Sequence, residues 1–274
     1  MDQAKNLRKF FSKGENSVTR ERIFFNRLSF DLKIAAARAG HHLHLYEPDV
    51  DRDGFDIVVE DEEGVGWYQT KAALSSAGTA NWSTSVGFLR PAISCADQYG
   101  FDPVEAGRGG GVILIEIADK GSDGAVTYRY TDFDILAAIE RGYLTERPYK
   151  GRGKPAKSAR DEAAEVIAHL RAGERKASVA LSKKLFITVR TSDDLLNVMG
   201  RQSEQGYGMF ATRNAYSGFA IGVDGESKPN DPIEFVSLVH YHMTMLCDVQ
   251  PTAGGTKVTR FDPFGWPRPS NPTA

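Results

Sequence analysis

The chain has 274 residues, 41% hydrophobic and 26% charged, which suits one large α/β domain or a domain with an appendage and excludes a disordered or fibrous protein. A net charge of -2 excludes a uniformly basic coat, although carboxylates gathered in one site would offset a basic groove elsewhere. No stretch is apolar enough to span a bilayer, MDQAKNLRKFFSKGEN lacks the apolar core of a secretory signal, and Cys95 and Cys247 lie far apart. A cytoplasmic protein with no disulfide framework and no membrane association is expected.

After a basic leader, Asn16 or Ser17 caps an expected helix that runs to about Ala39 and stops at Gly40. Phe24 or Phe25, Leu28, Leu32 and Ala35 recur at spacings of three and four, the apolar stripe of a helix lying on a sheet, and Glu21 falls on or beside it. Next come a short strand near His42 to Tyr46, an acidic turn, a strand at Phe55 to Glu60, the turn Asp61-Glu62-Glu63-Gly64 and a strand at Gly66 to Ala72. The last two strands read as a hairpin.

A polar loop through Trp82 and Ser85 leads to a helix at about Phe88 to Gln98, and Gly109-Gly110-Gly111 reads as a flexible turn. Val112 to Ile117, apolar except for Glu116, suits a central strand. Beyond it lie a strand at Ala125 to Tyr130, a helix from Phe133 to Arg141 capped by Asp132, a basic loop, and a helix at about Ala159 to Ala172. Residues 1 to 176 are taken together as the main domain. Residues 177 to 250, a recognition or dimerisation region either separate or part of that domain, carry strands at Leu185 to Val189, Phe219 to Val223 and Ile233 to Leu246 and a short helix at Asp193 to Met199. A flexible tail rich in Pro, Gly and Thr occupies 251 to 274.

Side chains alternate across a strand, so Gln69 and Lys71 share one face while Tyr68 and Thr70 share the other. Asp56, opening the partner strand, reaches the same pair across the hairpin because neighbouring strands lie about 4.8 Å apart. The Asp56 carboxylate, the Gln69 amide oxygen and the Thr70 carbonyl would serve a hard cation such as Mg²⁺, with Mn²⁺ as a substitute, that takes oxygen ligands and keeps several waters. Lys71 would orient or deprotonate an attacking water, or offset charge in a phosphoryl transition state.

Asp56 followed by Gln69-Thr70-Lys71 resembles the PD-(D/E)XK nuclease superfamily over about residues 15 to 131, with Gln in place of the second acidic residue as in the Mrr-like branch. The resemblance implies an α/β protein with a restriction-endonuclease-like α-β-β-β-α-β core, a mixed central sheet and, here, a C-terminal α/β extension. It implies a metal-dependent endonuclease that hydrolyses DNA phosphodiester bonds in restriction, defence or repair and leaves a 5′-phosphate. Glu21 would match the helix glutamate that some members add, with Asp31 as the alternative.

Two rival readings use the same residues. Asp49, Asp51, Asp53, Gly54 and Glu60 have the spacing of a calcium loop at positions 1, 3, 5, 6 and 12, but position 8 is Asp56 where an apolar residue belongs, and the flanks read as strands. The fold would also serve an inactive nucleic-acid or protein interaction module. The pairs and triplets of histidine, His41, His42 and His44 and then His240 and His242, lack a companion ligand set for zinc. The run from Gly107 to Gly111 precedes a strand and no Gly-Lys-Ser/Thr occurs, so it is not a phosphate loop; HExxH and GxSxG are absent too.

Six basic residues and no acid lie between Arg147 and Arg160, and Lys150, Arg152, Lys154 and Lys157 are the expected phosphate contacts to a DNA duplex. Trp82, Tyr207, Phe210, Tyr216 and Phe219 are candidates to stack on bases, and Arg201, Gln202, Arg213 and Asn214 to read base edges. A homodimer would suit cleavage of both strands.

Overall fold

The structure is a computed structural model that describes residues 3–48, 54–62, 64–93, 96, 99–118, 125–140, 157–189, 191–201, 219–221 and 227–229. The leader is itself helical: α1, Gln3–Ser12, ends where Phe11 stacks on Phe24 at a centroid distance of 5.6 Å. α2, Ser17–Arg38, buries Phe24, Leu28, Leu32, Ala35 and Ala36, and the chain leaves it through Gly40 at a φ of 82°. Asn16 holds the N-cap position without capping, because its amide donates instead to the Phe10 carbonyl at the end of α1.

β1, His44–Tyr46, β2, Ile57–Asp61, and β3, Gly64–Leu74, form an antiparallel meander with the expected hairpin between β2 and β3. The hairpin turn is closed by Asp61, whose Oδ1 accepts from the Gly64 amide at 2.9 Å. β3 outruns β2, which covers it from Gly64 to Tyr68. On its other side β3 runs parallel to β5, Gly111–Ile117, with every β5 residue buried.

The crossover from β3 to β5 departs from expectation twice. Where a polar loop was predicted, Asn81–Ser85 forms strand β4, with Trp82 and Thr84 turned inward and Trp82 edge-on to Phe186. Where a helix to Gln98 was predicted, α3 spans Val86–Leu89. Pro91 is the reason: the residue before a proline avoids helical backbone, and Arg90 leaves α3 at ψ 148°.

The glycine run that follows is a packing seam. Its amides donate to the α3 segment, from Gly107 to the Pro91 carbonyl at 2.8 Å and from Gly110 to the Phe88 carbonyl at 2.9 Å. A Cβ on Gly107 would come within 2.6 Å of the Arg90 carbonyl, and one on Gly110 within 2.2 Å of the Phe88 ring. Only glycine permits this approach of two backbones.

β6, Val126–Thr131, continues the sheet, and Asp132 caps α4, Phe133–Glu140, through the Ile135 amide at 3.0 Å. Ser158 caps α5, Ala159–Ala172. β7, Ser178–Ser182, pairs with β4 as a two-stranded ribbon, and β8, Ile187–Val189, joins the edge of the main sheet beside β6. The result is a mixed sheet of six strands in the order β1-β2-β3-β5-β6-β8. α6, Ser192–Val198, opens with a reciprocal cap between Thr191 and Asp194.

α2 and α6 cover the face that carries Tyr68 and Tyr128: the Tyr128 hydroxyl donates to Asp31 on α2 at 2.6 Å, and the Tyr68 hydroxyl to the Met199 carbonyl at 3.1 Å. α4 and α5 pack over the opposite face with the 3-10 turn Lys183–Leu185, whose Lys183 pairs with Glu116. β9, Phe219–Ile221, and β10, Ser227–Pro229, form an antiparallel pair. The expected strand from Ile233 to Leu246, the tail and both cysteines lie outside the described residues. No helix among the described residues is long and apolar enough to cross a membrane.

Candidate functional site

The hairpin register decides what meets what. Ile57 lies opposite Tyr68, and the Asp56 amide, just before β2 begins, donates to the Tyr68 carbonyl at 2.9 Å. The next amide of β3 pointing to that side belongs to Thr70, and it has outrun the β2 ladder. Asp56 answers it: Oδ2 accepts from the Thr70 amide at 2.6 Å and from the Thr70 hydroxyl at 3.0 Å. A buried amide without an acceptor costs about 1 to 3 kcal/mol, so this carboxylate terminates the strand pair as an acceptor in its own right.

Gln69 and Lys71 flank Thr70 and project from the face that also bears Val112 and Leu114, their neighbours on β5. All four residues, Asp56, Gln69, Thr70 and Lys71, are half-buried. Gln69 Oε1 is buried with no hydrogen-bond donor, while Lys71 carries no ion pair or hydrogen bond among the described residues. Sequence reasoning proposed the Thr70 carbonyl as a ligand; the tertiary contacts add that the amide and hydroxyl of the same residue orient Asp56.

The donor chemistry fits a hard divalent cation on one observation. A buried amide oxygen with no donor among the described residues is an acceptor in want of a positive partner, and it belongs to the residue next to Thr70, which holds the Asp56 carboxylate. Two protein oxygens are enough for Mg²⁺, which completes its shell with water and substrate phosphate. Among the described residues, no three His, Cys, Asp or Glu side chains gather closely enough to form a metal cluster. Asp49, Asp51 and Asp53 lie outside the described residues. Glu60, the last position of the calcium-loop spacing, sits within β2 opposite Val65, so the segment is flanked by strands β1 and β2 where a helix-loop-helix site has helices.

Glu21 is exposed near the start of α2, and α2 packs on the face of the sheet opposite Gln69 and Lys71. The described contacts do not bring it to Asp56. Asp31 is committed to structure, accepting from Tyr128 at 2.6 Å and from Arg27 Nε at 2.8 Å. Burial first, and then the Asp31 carboxylate, push the Tyr128 phenol well above its usual range, so it remains a donor there.

Of the four expected phosphate contacts, Lys157 is described. It pairs with Glu165 and lines a groove between α5 and β7 with Glu162 and His169. Lys150, Arg152 and Lys154 lie outside the described residues, as do Tyr207, Phe210, Tyr216, Gln202, Arg213, Asn214, His240 and His242. Trp82 is core rather than a stacking platform, and Arg201 pairs with Asp61 at the hairpin turn. His44 stacks on Tyr46, and the His42 amide donates to Glu62 at 2.8 Å, which holds that exposed carboxyl below its ordinary range.

Two features were missed. Glu116, a lone carboxylate in an apolar strand, is buried between Arg129, at 2.6 Å, and Lys183. Arg108 extends over the rings of Phe55 and Trp67 beside the hairpin. The signal for the first was the break in an apolar run; for the second, a single side chain set among glycines. Comparisons with protein-family models, with curated proteins and with solved structures find no match to this chain.

Proposed function

We propose that the protein is a metal-dependent endonuclease that hydrolyses phosphodiester bonds of DNA at the β2–β3 hairpin. The observation that carries this reading is the buried Gln69 Oε1, without a hydrogen-bond donor among the described residues, on the same strand face as Lys71 and next in the chain to Thr70, which holds the Asp56 carboxylate. The strand order supports the likeness to the PD-(D/E)XK pattern: α2, the β1-β2-β3 meander, a crossover, then β5 parallel to β3. The crossover helix α3 is one turn long, which is a departure from that pattern.

Asp56 and Gln69 would hold Mg²⁺ or Mn²⁺, and Thr70 would keep the carboxylate in place. When bound, the cation supplies Lewis acidity toward a phosphate oxygen and a water. Lys71 places a positive charge next to the phosphate, where it offsets the charge that develops as the attacking oxygen bonds to phosphorus and the leaving oxygen departs. Half-burial of these groups strengthens each of those interactions relative to open solvent.

Incubation of the full chain with supercoiled plasmid and Mg²⁺ or Mn²⁺ tests the reading. Nicked or linear product is expected from the wild type, with at least about a hundredfold loss in Asp56→Asn and Lys71→Ala while their melting transitions persist. Absence of cutting with both metals, or cutting undiminished in the two variants, overturns it. One observation favours a second reading, a binding module on the same fold: the Asp56 carboxylate already serves Thr70. Tight DNA binding with no cutting under either metal would select it.

A further inference from the structure

α2 is apolar on two sides. Its buried stripe of Phe24, Leu28, Leu32 and Ala35 faces the sheet, while on the outward side Ile23, Phe30 and Ile34 are 39%, 64% and 39% exposed. Single apolar residues on a surface are ordinary, whereas large ones aligned along one helix face form a patch of the kind that marks an interaction site.

Arg20, Ile23, Arg27, Phe30, Ile34 and Ala37 follow one another at alternating intervals of three and four, the spacing of a seam that packs lengthwise against another helix. The seam matches itself when reversed. With Arg27 at the level of Phe30 in an antiparallel copy, Ile23 meets Ile34, the Phe30 ring meets the Arg27 guanidinium, and the long Arg20 meets the small Ala37. The charges suit the same arrangement. Arg27 Nε is paired with Asp31 at 2.8 Å, which makes the middle of the seam neutral, and Arg20 is held on its own chain by the Phe11 carbonyl at 2.7 Å. Asp31 falls within about 1.5 Å, along the axis, of the level of Arg27 in the reversed copy and on the same side of the seam, so the two ion pairs reinforce each other.

We propose that the outward face of α2 is the contact of a two-fold homodimer whose α2 helices run antiparallel, Ile23 of one copy against Ile34 of the other. Both partners present the same patch, as a two-fold contact requires. The seam from Arg20 to Ala37 is about 26 Å long and one helix wide, at the small end of specific interfaces, so the dimer is reversible at micromolar concentrations. α2 covers the sheet face opposite Gln69 and Lys71, so joining two copies here leaves both hairpins uncovered. The contact is independent of the chemistry at the hairpin.

The test is sedimentation velocity of the full chain from about 1 to 200 µM, where the wild type is expected to pass from monomer to dimer. Ile23→Glu and Ile34→Lys, each alone, should weaken the dimer at least about tenfold with the melting transition kept, because each buries a charge against an isoleucine of the other copy. The double variant Ile23→Glu, Ile34→Lys should recover dimerisation, since the antiparallel register sets the two new charges opposite each other across the contact and far apart within one chain. Val104→Glu, at an 87% exposed apolar position outside α2, should leave the dimer intact. A wild type that stays monomeric throughout overturns the inference. A dimer that both single variants leave intact overturns it too, as does a double variant no more dimeric than the singles or equal loss in Val104→Glu.

Discussion

At Gln69 the demands of folding and of function pull in opposite directions. A buried amide oxygen without a donor is destabilising by about 1 kcal/mol or more, and Gln69 Oε1 has no donor among the described residues. Gln69→Leu is therefore expected to leave the unfolding transition unchanged or raise it by about 1 kcal/mol, provided the new side chain fits beside Val112. The same substitution should abolish stabilisation by Mg²⁺, which in the wild type appears as a melting temperature rising with metal concentration. Thermal melts of both proteins over a Mg²⁺ series check this without reference to activity; a metal-dependent shift that persists in the variant would remove Gln69 from the site. Asp56 is different in kind, because its carboxylate both terminates the β2 ladder at Thr70 and forms part of the proposed site.

At the scale of elements, Arg90 shows how a short break in helix prediction becomes a structural joint. Because Pro91 turns the chain out of α3, the Arg90 side chain enters the interior, where Nε donates to the Leu170 carbonyl at 2.6 Å and Nη2 to the Gly173 carbonyl at 2.7 Å. These carbonyls lie at the C-terminal end of α5, the negative end of its dipole, so the charge is compensated by oriented backbone. Nη1 reaches the Glu105 carbonyl at 3.2 Å as well. Arg90→Ala is expected to destabilise the fold by about 3 kcal/mol or more, read as a lowered denaturant midpoint, because it strands several buried acceptors together. The pairing of β4 with β7 had a weak local signal, since in Asn81–Ser85 alternation is carried by a single large apolar residue, Trp82, and the partner strand begins at Ser178. By contrast α2, α5 and the β2–β3 hairpin were legible, because an apolar stripe, a serine cap and a tight acidic turn are all written within a few residues.

At the scale of the molecule, the described residues just beyond 177 are tied to the main sheet and its helices. β8 pairs with β6, α6 packs on α2, and Lys183 joins Arg129 on Glu116 to tie β5 and β6 to the turn between β7 and β8. Burial pushes the Glu116 carboxyl up, but its hydrogen bonds and charge pairing with Arg129 and Lys183 together outweigh that and hold it below the ordinary value of 4.5. A depressed carboxyl contributes stability that is present above the unfolded-state pKa and is lost as pH falls through the folded-state value. Glu116→Gln is therefore expected to lower stability at neutral pH and to flatten the acid limb of the stability profile. Denaturant midpoints between pH 7 and pH 3 check this, and parallel profiles in the two proteins would contradict it.

The sequence by itself determined the helices with apolar stripes, the hairpin, the central strand and the alternation that puts Gln69 and Lys71 on one face. Those follow from periodicities of 3.6 and 2 residues and from caps and turns, which are properties of neighbouring residues. Only the tertiary structure decided that Asp56 bonds Thr70, that Gln69 Oε1 is buried without a donor, that the glycine run is a tight seam, and that Arg108 lies over Phe55 and Trp67. Each of these depends on which distant segments meet and on how closely they pack, and burial of a polar atom is set by everything around it rather than by its place in the chain.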